Sequence, residues 1–250
     1  MKQVTADEKF HAEKWSSDWY TLRNEIPSKI KKYMEDDLLF ELVRPWPFEI
    51  GNKNEFRDAF EGNGGILDYR FCRESWENFI YIRGVLEKYK PFKILETGTN
   101  AGIFSWMCSN FLDDFEIHTI DLNPNSKTFV DKIKNHFNKG EIIFYNKRSP
   151  ECFDNSWWNE SPFEKINFDF AFLDAGHTHD ILLGELRAAG NLDIPVIMVD
   201  DWYSNPLNDA IEDFVSESDY EIVDSNSVTA NPNHMTKKIG YVKILEKKNV

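Results

Sequence analysis

From Lys93 to Leu245 the chain repeats one texture: short apolar runs separated by polar stretches of helix length. Such alternation marks β-α repeats built around a mostly parallel sheet. It predicts strands over Lys93 to Glu96, Glu116 to Asp121, Glu141 to Tyr145, Phe168 to Asp174 and Pro195 to Asp200. The interiors of the last two, Phe170-Ala171-Phe172-Leu173 and Val196-Ile197-Met198-Val199, hold no polar residue, as expected of strands covered on both faces. A helix around Leu207 to Val215 and two closing strands, Tyr220 to Val223 and Gly240 to Leu245, would complete a doubly wound α/β architecture of about seven strands.

Residues 1 to about 90 read differently, with much charge, many aromatics and no strong strand signal. Trp76, Phe79, Ile80, Leu86 and Tyr89 share one face of a helix running from about Arg73 to Lys88. Pro45 and Pro47 interrupt the segment, and Gly62-Asn63-Gly64-Gly65 predicts a turn. The expected organisation is a helical N-terminal cap over residues 1–84 and an α/β domain over 85–250, with a fraying tail from Leu245 to Val250.

Composition narrows the class. With 41% hydrophobic and 15% aromatic residues in 250, the chain carries too much apolar surface to stay disordered. Its net charge of -14 repels phosphate, which argues against nucleic acid or an anionic membrane as partner. The short basic clusters Lys29-Ile30-Lys31-Lys32 and Lys237-Lys238 read as solvated faces. Cys72, Cys108 and Cys152 are odd in number and lack Cys-x-x-Cys spacing, against a disulfide framework or a thiolate metal site. No apolar signal core or membrane-length run is visible, so a reducing, cytoplasmic setting is expected, with homo-oligomerisation left open.

In an open parallel sheet, ligands bind beyond the carboxyl ends of the strands. Acidic residues stand at nearly every such point here: Glu96, Asp121, Asp174 and the pair Asp200 and Asp201. After the first strand comes Glu96-Thr97-Gly98-Thr99-Asn100-Ala101-Gly102, whose glycines let backbone approach a ligand. The dinucleotide fingerprint needs Gly-x-Gly-x-x-Gly and a phosphate-cradling loop needs Gly-Lys-Ser/Thr; neither is present, which disfavours a nicotinamide oxidoreductase. By itself the loop is a moderate signal, with an ordinary strand-to-helix turn as the lesser alternative. Asp121, 25 residues after Glu96, stands close to the spacing of about 20 at which a carboxylate grips ribose hydroxyls.

ETGTNAG followed by IHTIDLNP resembles the first two motifs of class I S-adenosylmethionine-dependent methyltransferases. FDFAFLDAGH and IPVIMVDDW extend the likeness to metal-dependent O-methyltransferases of the catechol, caffeoyl-coenzyme A and macrocin type, over roughly residues 85 to 245. The resemblance implies a Rossmann-like methyltransferase fold and S-adenosylmethionine as cofactor. It places Glu96 at the methionine ammonium, Thr97, Gly98, Thr99, Asn100 and Gly102 along the cofactor, Asp121 on the ribose, Leu122 near the adenine and Ser149 at the adenine edge. A crevice lined with carboxylates suits the two cations of that cofactor and repels a pyrophosphate.

The same resemblance implies a divalent ion, Mg²⁺ or another, held by Asp174, Asp200 and Asp201. Adjacent residues of a regular strand point to opposite faces, so Asp200 and Asp201 can share an ion only if the backbone leaves strand geometry there. His177 stands where the catechol and caffeoyl enzymes carry a lysine base, and Gly176 where many relatives have a second acid. A neutral imidazole suits that proton transfer, with His179 as a rival. The activity implied is methyl transfer to a hydroxyl of a small molecule, a sugar or a phenol, with Asp174 and His177 in the catalytic roles. A metal-independent enzyme and a catalytically silent binding protein on the same fold are the alternatives. Trp46, Phe48, Phe71, Trp76, Trp157, Trp158, Trp202 and Tyr203 are candidates to flank the acceptor, or simply to pack.

Overall fold

The computed structural model describes residues 36–43, 73–149, 162–201, 205–229 and 238–248. Seven strands form one sheet in the order β3-β2-β1-β4-β5-β7-β6. The strands are β1 (Lys93–Thr97), β2 (Glu116–Asp121), β3 (Glu141–Asn146), β4 (Phe170–Leu173), β5 (Val196–Val199), β6 (Tyr220–Thr229) and β7 (Lys238–Lys247). β1 to β5 pair in parallel, and β7 runs antiparallel to both β5 and β6. The parallel strands lie within a residue or two of their expected limits, whereas β6 extends well past Val223, across two register shifts.

Among the described residues, six α-helices flank the sheet: α1 (Asp37–Val43), α2 (Arg73–Tyr89), α3 (Ile103–Phe111), α4 (Ser126–Phe137), α5 (His179–Asn191) and α6 (Asn205–Glu217). Alternation along each strand divides the core into two. Ile94, Ile117, Phe170, Phe172, Met198 and Ile244 pack under α1 to α4 with Phe104, Trp106, Met107, Val130 and Ile133. Leu95, Ile120, Ala171, Leu173, Ile197 and Val199 pack under α5 and α6 with Leu182, Leu186, Ile211 and Phe214. Burying both faces of the central strands is why their sequences are unbroken apolar runs.

The chain winds from β1 through β2 to β3 on one side and from β4 to β5 on the other, so the switch point lies between β1 and β4. Of the expected cap, Leu38, Leu39, Phe40 and Leu42 of α1 are buried in the same core as β1, and α2 spans the expected boundary at 84/85. The Tyr81 hydroxyl of α2 donates to the Asp224 carboxylate of β6, and Tyr89 donates to Glu246 of β7. The segments around Lys29-Lys32, Pro45-Phe48, Gly62-Gly65, Phe71, Trp157-Trp158, Trp202-Tyr203 and Lys237 lie outside the described residues, as do Cys72, Cys152 and the side chain of Trp76.

Candidate active site

The loop after β1 is held tightly against its neighbours. Gly98 has φ +85°, its N–H donates to the Ile120 carbonyl at 2.9 Å, and a Cβ there would stand 2.2 Å from the Asp174 carbonyl oxygen. Glycine is therefore what lets the turn close on the end of β4. Gly102, at φ +75°, opens α3, where a Cβ would meet Ile133 at 2.8 Å. Asn100 between them also adopts a left-handed conformation, and its N–H donates to Asp121 Oδ2 at 2.6 Å. The other Asp121 oxygen accepts from the Asn123 N–H at 2.7 Å. Asp121 thus ties the first two loops together, with one bond at each oxygen and lone pairs left for a ligand. Leu122 beside it is 67% exposed.

Glu96 is only 1% exposed, on the α3 face of the sheet, where it accepts from Ser105 Oγ at 2.9 Å. Burial pushes its carboxyl up to about 7, against the pull of the Thr119 and Ser105 hydroxyls. Thr99 shares a hydrogen bond with Thr119. Thr97 points the other way, beneath the sheet toward α5, and is fully buried. At the end of β3, the Asn146 side chain donates to the carbonyls of Asp121 and Leu122, which fixes the start of the loop leading to Ser149. Ser149 is 7% exposed, and its hydroxyl donates to Glu185 of α5.

At the ends of β4 and β5, Asp174, His177 and Asp201 each offer a ligand atom, all within 4.8 Å of one another. β5 ends at Val199 and Asp201 has φ +54°, so the backbone does leave strand geometry between the two aspartates. Asp200 Oδ1 accepts the Asp201 N–H at 2.9 Å, while the Asp201 carboxylate turns to within 3.3 Å of His177 Nδ1. Among the described residues, the clustered triad is thus Asp174, His177 and Asp201, with Asp200 bracing the turn. Burial drives the Asp174 carboxyl well above its ordinary range, reinforced by the charges of Asp200, Asp201, Glu96 and Glu185. Asp201 is raised by burial too, with His177 opposing the shift. Two carboxylates pressed together in such a repulsive setting fit a small divalent cation, with the imidazole beside them. His179 is drawn off to Asp180 and Asp213 on the surface.

No family model and no curated protein matches the chain. Solved structures do. The O-methyltransferase TomG of Streptomyces achromogenes, determined with S-adenosylmethionine, is 16% identical with a TM-score of 0.57, over 93% of this chain and 100% of that one. An O-methyltransferase from Bacillus cereus, determined with S-adenosylhomocysteine, is 14% identical with a TM-score of 0.50, over 98% of each chain. The fold is that of the class I methyltransferases.

Within this methyltransferase fold, the glycine turn, Asp121 and the Asp174 group all face the switch point. A separate cleft of about 390 Å³, lined by Arg187, Phe214, Glu217 and Tyr220, lies near the start of β6 and holds a two-pronged Arg187–Glu217 pair rather than a reactive cluster. One buried acid at the site escaped the sequence reading: Glu185. It falls three residues after Leu182 and four before Ala189, so the apolar period of α5 places it facing the sheet.

Proposed function

We propose that this protein is an S-adenosylmethionine-dependent O-methyltransferase acting on a hydroxyl of a small molecule, a sugar or a phenol, with a divalent cation such as Mg²⁺ assisting. The observation that carries the reading is the meeting of Asp174, His177 and Asp201 beside the Gly98 turn at one switch point. Structures of this fold determined with S-adenosylmethionine and S-adenosylhomocysteine support the cofactor class.

In this reading Thr99, Asn100 and the backbone around Gly98 and Gly102 line the cofactor, with Glu96 behind them favouring its ammonium. Asp121 takes the ribose hydroxyls, the exposed Leu122 covers one adenine face, and Ser149 meets the adenine edge. Asp174 and Asp201 hold the cation, with Asp200 keeping Asp201 turned toward it. When bound, S-adenosylmethionine would supply the methyl group and the cation would polarise the acceptor oxygen. His177, oriented by Asp201, takes the hydroxyl proton as the new carbon–oxygen bond forms and the carbon–sulfur bond breaks.

The 3.3 Å His177–Asp201 contact also favours a second reading, a metal-independent methyltransferase in which Asp201 only orients the base. Calorimetric titration with S-adenosylmethionine and S-adenosylhomocysteine, with and without Mg²⁺, tests the first claim. Absence of affinity for both overturns the methyltransferase reading. Assays on hydroxylated acceptors with Asp174→Ala and with EDTA then separate the two routes: loss in both supports the cation, and full activity in both supports the metal-free pair.

A further inference from the structure

Glu185 is 0% exposed, on α5, among the apolar side chains that cover the sheet. One of its carboxylate oxygens accepts the Ser149 hydroxyl; the other has no hydrogen-bond partner among the described residues. The fully buried Thr97 hydroxyl, close enough to favour the Glu185 charge, also lacks a hydrogen bond of ordinary length. A buried carboxyl with an orphaned oxygen is costly to keep, and an apolar residue would serve α5 packing better. What Glu185 does achieve is to fix one hydroxyl, at the end of a loop that Asn146 ties to Asp121 and Leu122.

A serine hydroxyl has one proton and two lone pairs, and either can face a ligand. With its proton committed to Glu185, Ser149 can offer the crevice only lone pairs. We propose that Glu185 is a positioning residue for cofactor specificity, holding Ser149 as an acceptor that selects a purine bearing a 6-amino group over one bearing a 6-oxo group. The inference rests on the cofactor reading above and adds the residue that enforces base choice. The preference arises because an amino group donates to Ser149, whereas a 6-oxo group sets lone pair against lone pair.

Calorimetric titration with two probes, S-adenosylhomocysteine and S-inosylhomocysteine, tests it. The unaltered protein should favour the adenosyl compound by about tenfold or more, the order of one lost hydrogen bond. Glu185→Leu should bring the two within about threefold of each other, and so should Ser149→Ala, which leaves Glu185 and its helix intact should the leucine variant not fold. Glu185→Gln should keep the preference, since its amide oxygen still accepts from Ser149 and its amide nitrogen can donate to Thr97. Undiminished discrimination in Glu185→Leu or in Ser149→Ala overturns the proposal, as does equal binding of the two probes by the unaltered protein. Failure of the unaltered protein to bind either probe overturns the cofactor reading itself, a result distinct from binding without discrimination.

Discussion

Gly98 is the residue whose replacement has the plainest consequence. Alanine there must adopt φ +85° and place its methyl 2.2 Å from the Asp174 carbonyl oxygen, which belongs to backbone and cannot swing away. Left-handed strain and overpacking together predict a loss of about 2–4 kcal/mol for Gly98→Ala in urea unfolding, with loss of cofactor binding in titration. His177 is half-surface and braces no core, so His177→Ala should leave the unfolding midpoint and cofactor affinity near those of the unaltered protein. Its methyl transfer should fall by about 10²–10⁴, the usual worth of a general base; unchanged turnover would remove His177 from the mechanism. Legibility differed among these residues for physical reasons. Glu96, Asp121 and Asp174 could be found because each stands where an apolar run stops, but the φ +54° turn at Asp201 could only be posed as a condition. Glu185 looks like any solvent-facing glutamate unless the helix period is counted residue by residue.

Among the elements, α2 is joined to the far edge of the sheet by two tyrosine–carboxylate bonds rather than by apolar contact alone. Asp224 is 1% exposed, and burial raises its carboxyl to about 7 despite the Tyr81 hydroxyl and the Ser225 N–H. Tyr81→Phe removes the donor and leaves a buried carboxyl short of a partner, at a cost of about 1–3 kcal/mol in chemical denaturation. The parallel strands were readable because two-sided burial writes itself as continuous hydrophobicity. β6 was not, because Asp224, Ser225, Asn226 and Ser227 break any apolar run there, and the strand is held by pairing with β7 through two register shifts.

For the molecule as a whole, the unusual quantity is the number of buried acids. Glu96, Glu185 and Asp224 each have a folded-state value near 7, against 4.5, 4.5 and 3.8 when unburied. Between about pH 4.5 and 7 the folded protein therefore holds more protons than the unfolded chain, so stability falls as pH rises through that window and levels off above it. Thermal unfolding of the ligand-free protein should show a higher midpoint at pH 5.5 than at pH 8, and Glu185→Gln should shrink the difference. A midpoint that instead climbs steadily from pH 5.5 to 8 would contradict the burial assigned to these groups.

The order of strands at the sheet's far edge bears on how the chain is made. Because β7 lies between β5 and β6, Tyr220–Thr229 has, among the described residues, no strand to pair with until Lys238–Lys247 has been synthesised. A nascent chain on the ribosome must therefore carry β6 as an open edge, exposed to mispairing, while β1 to β5 can already associate.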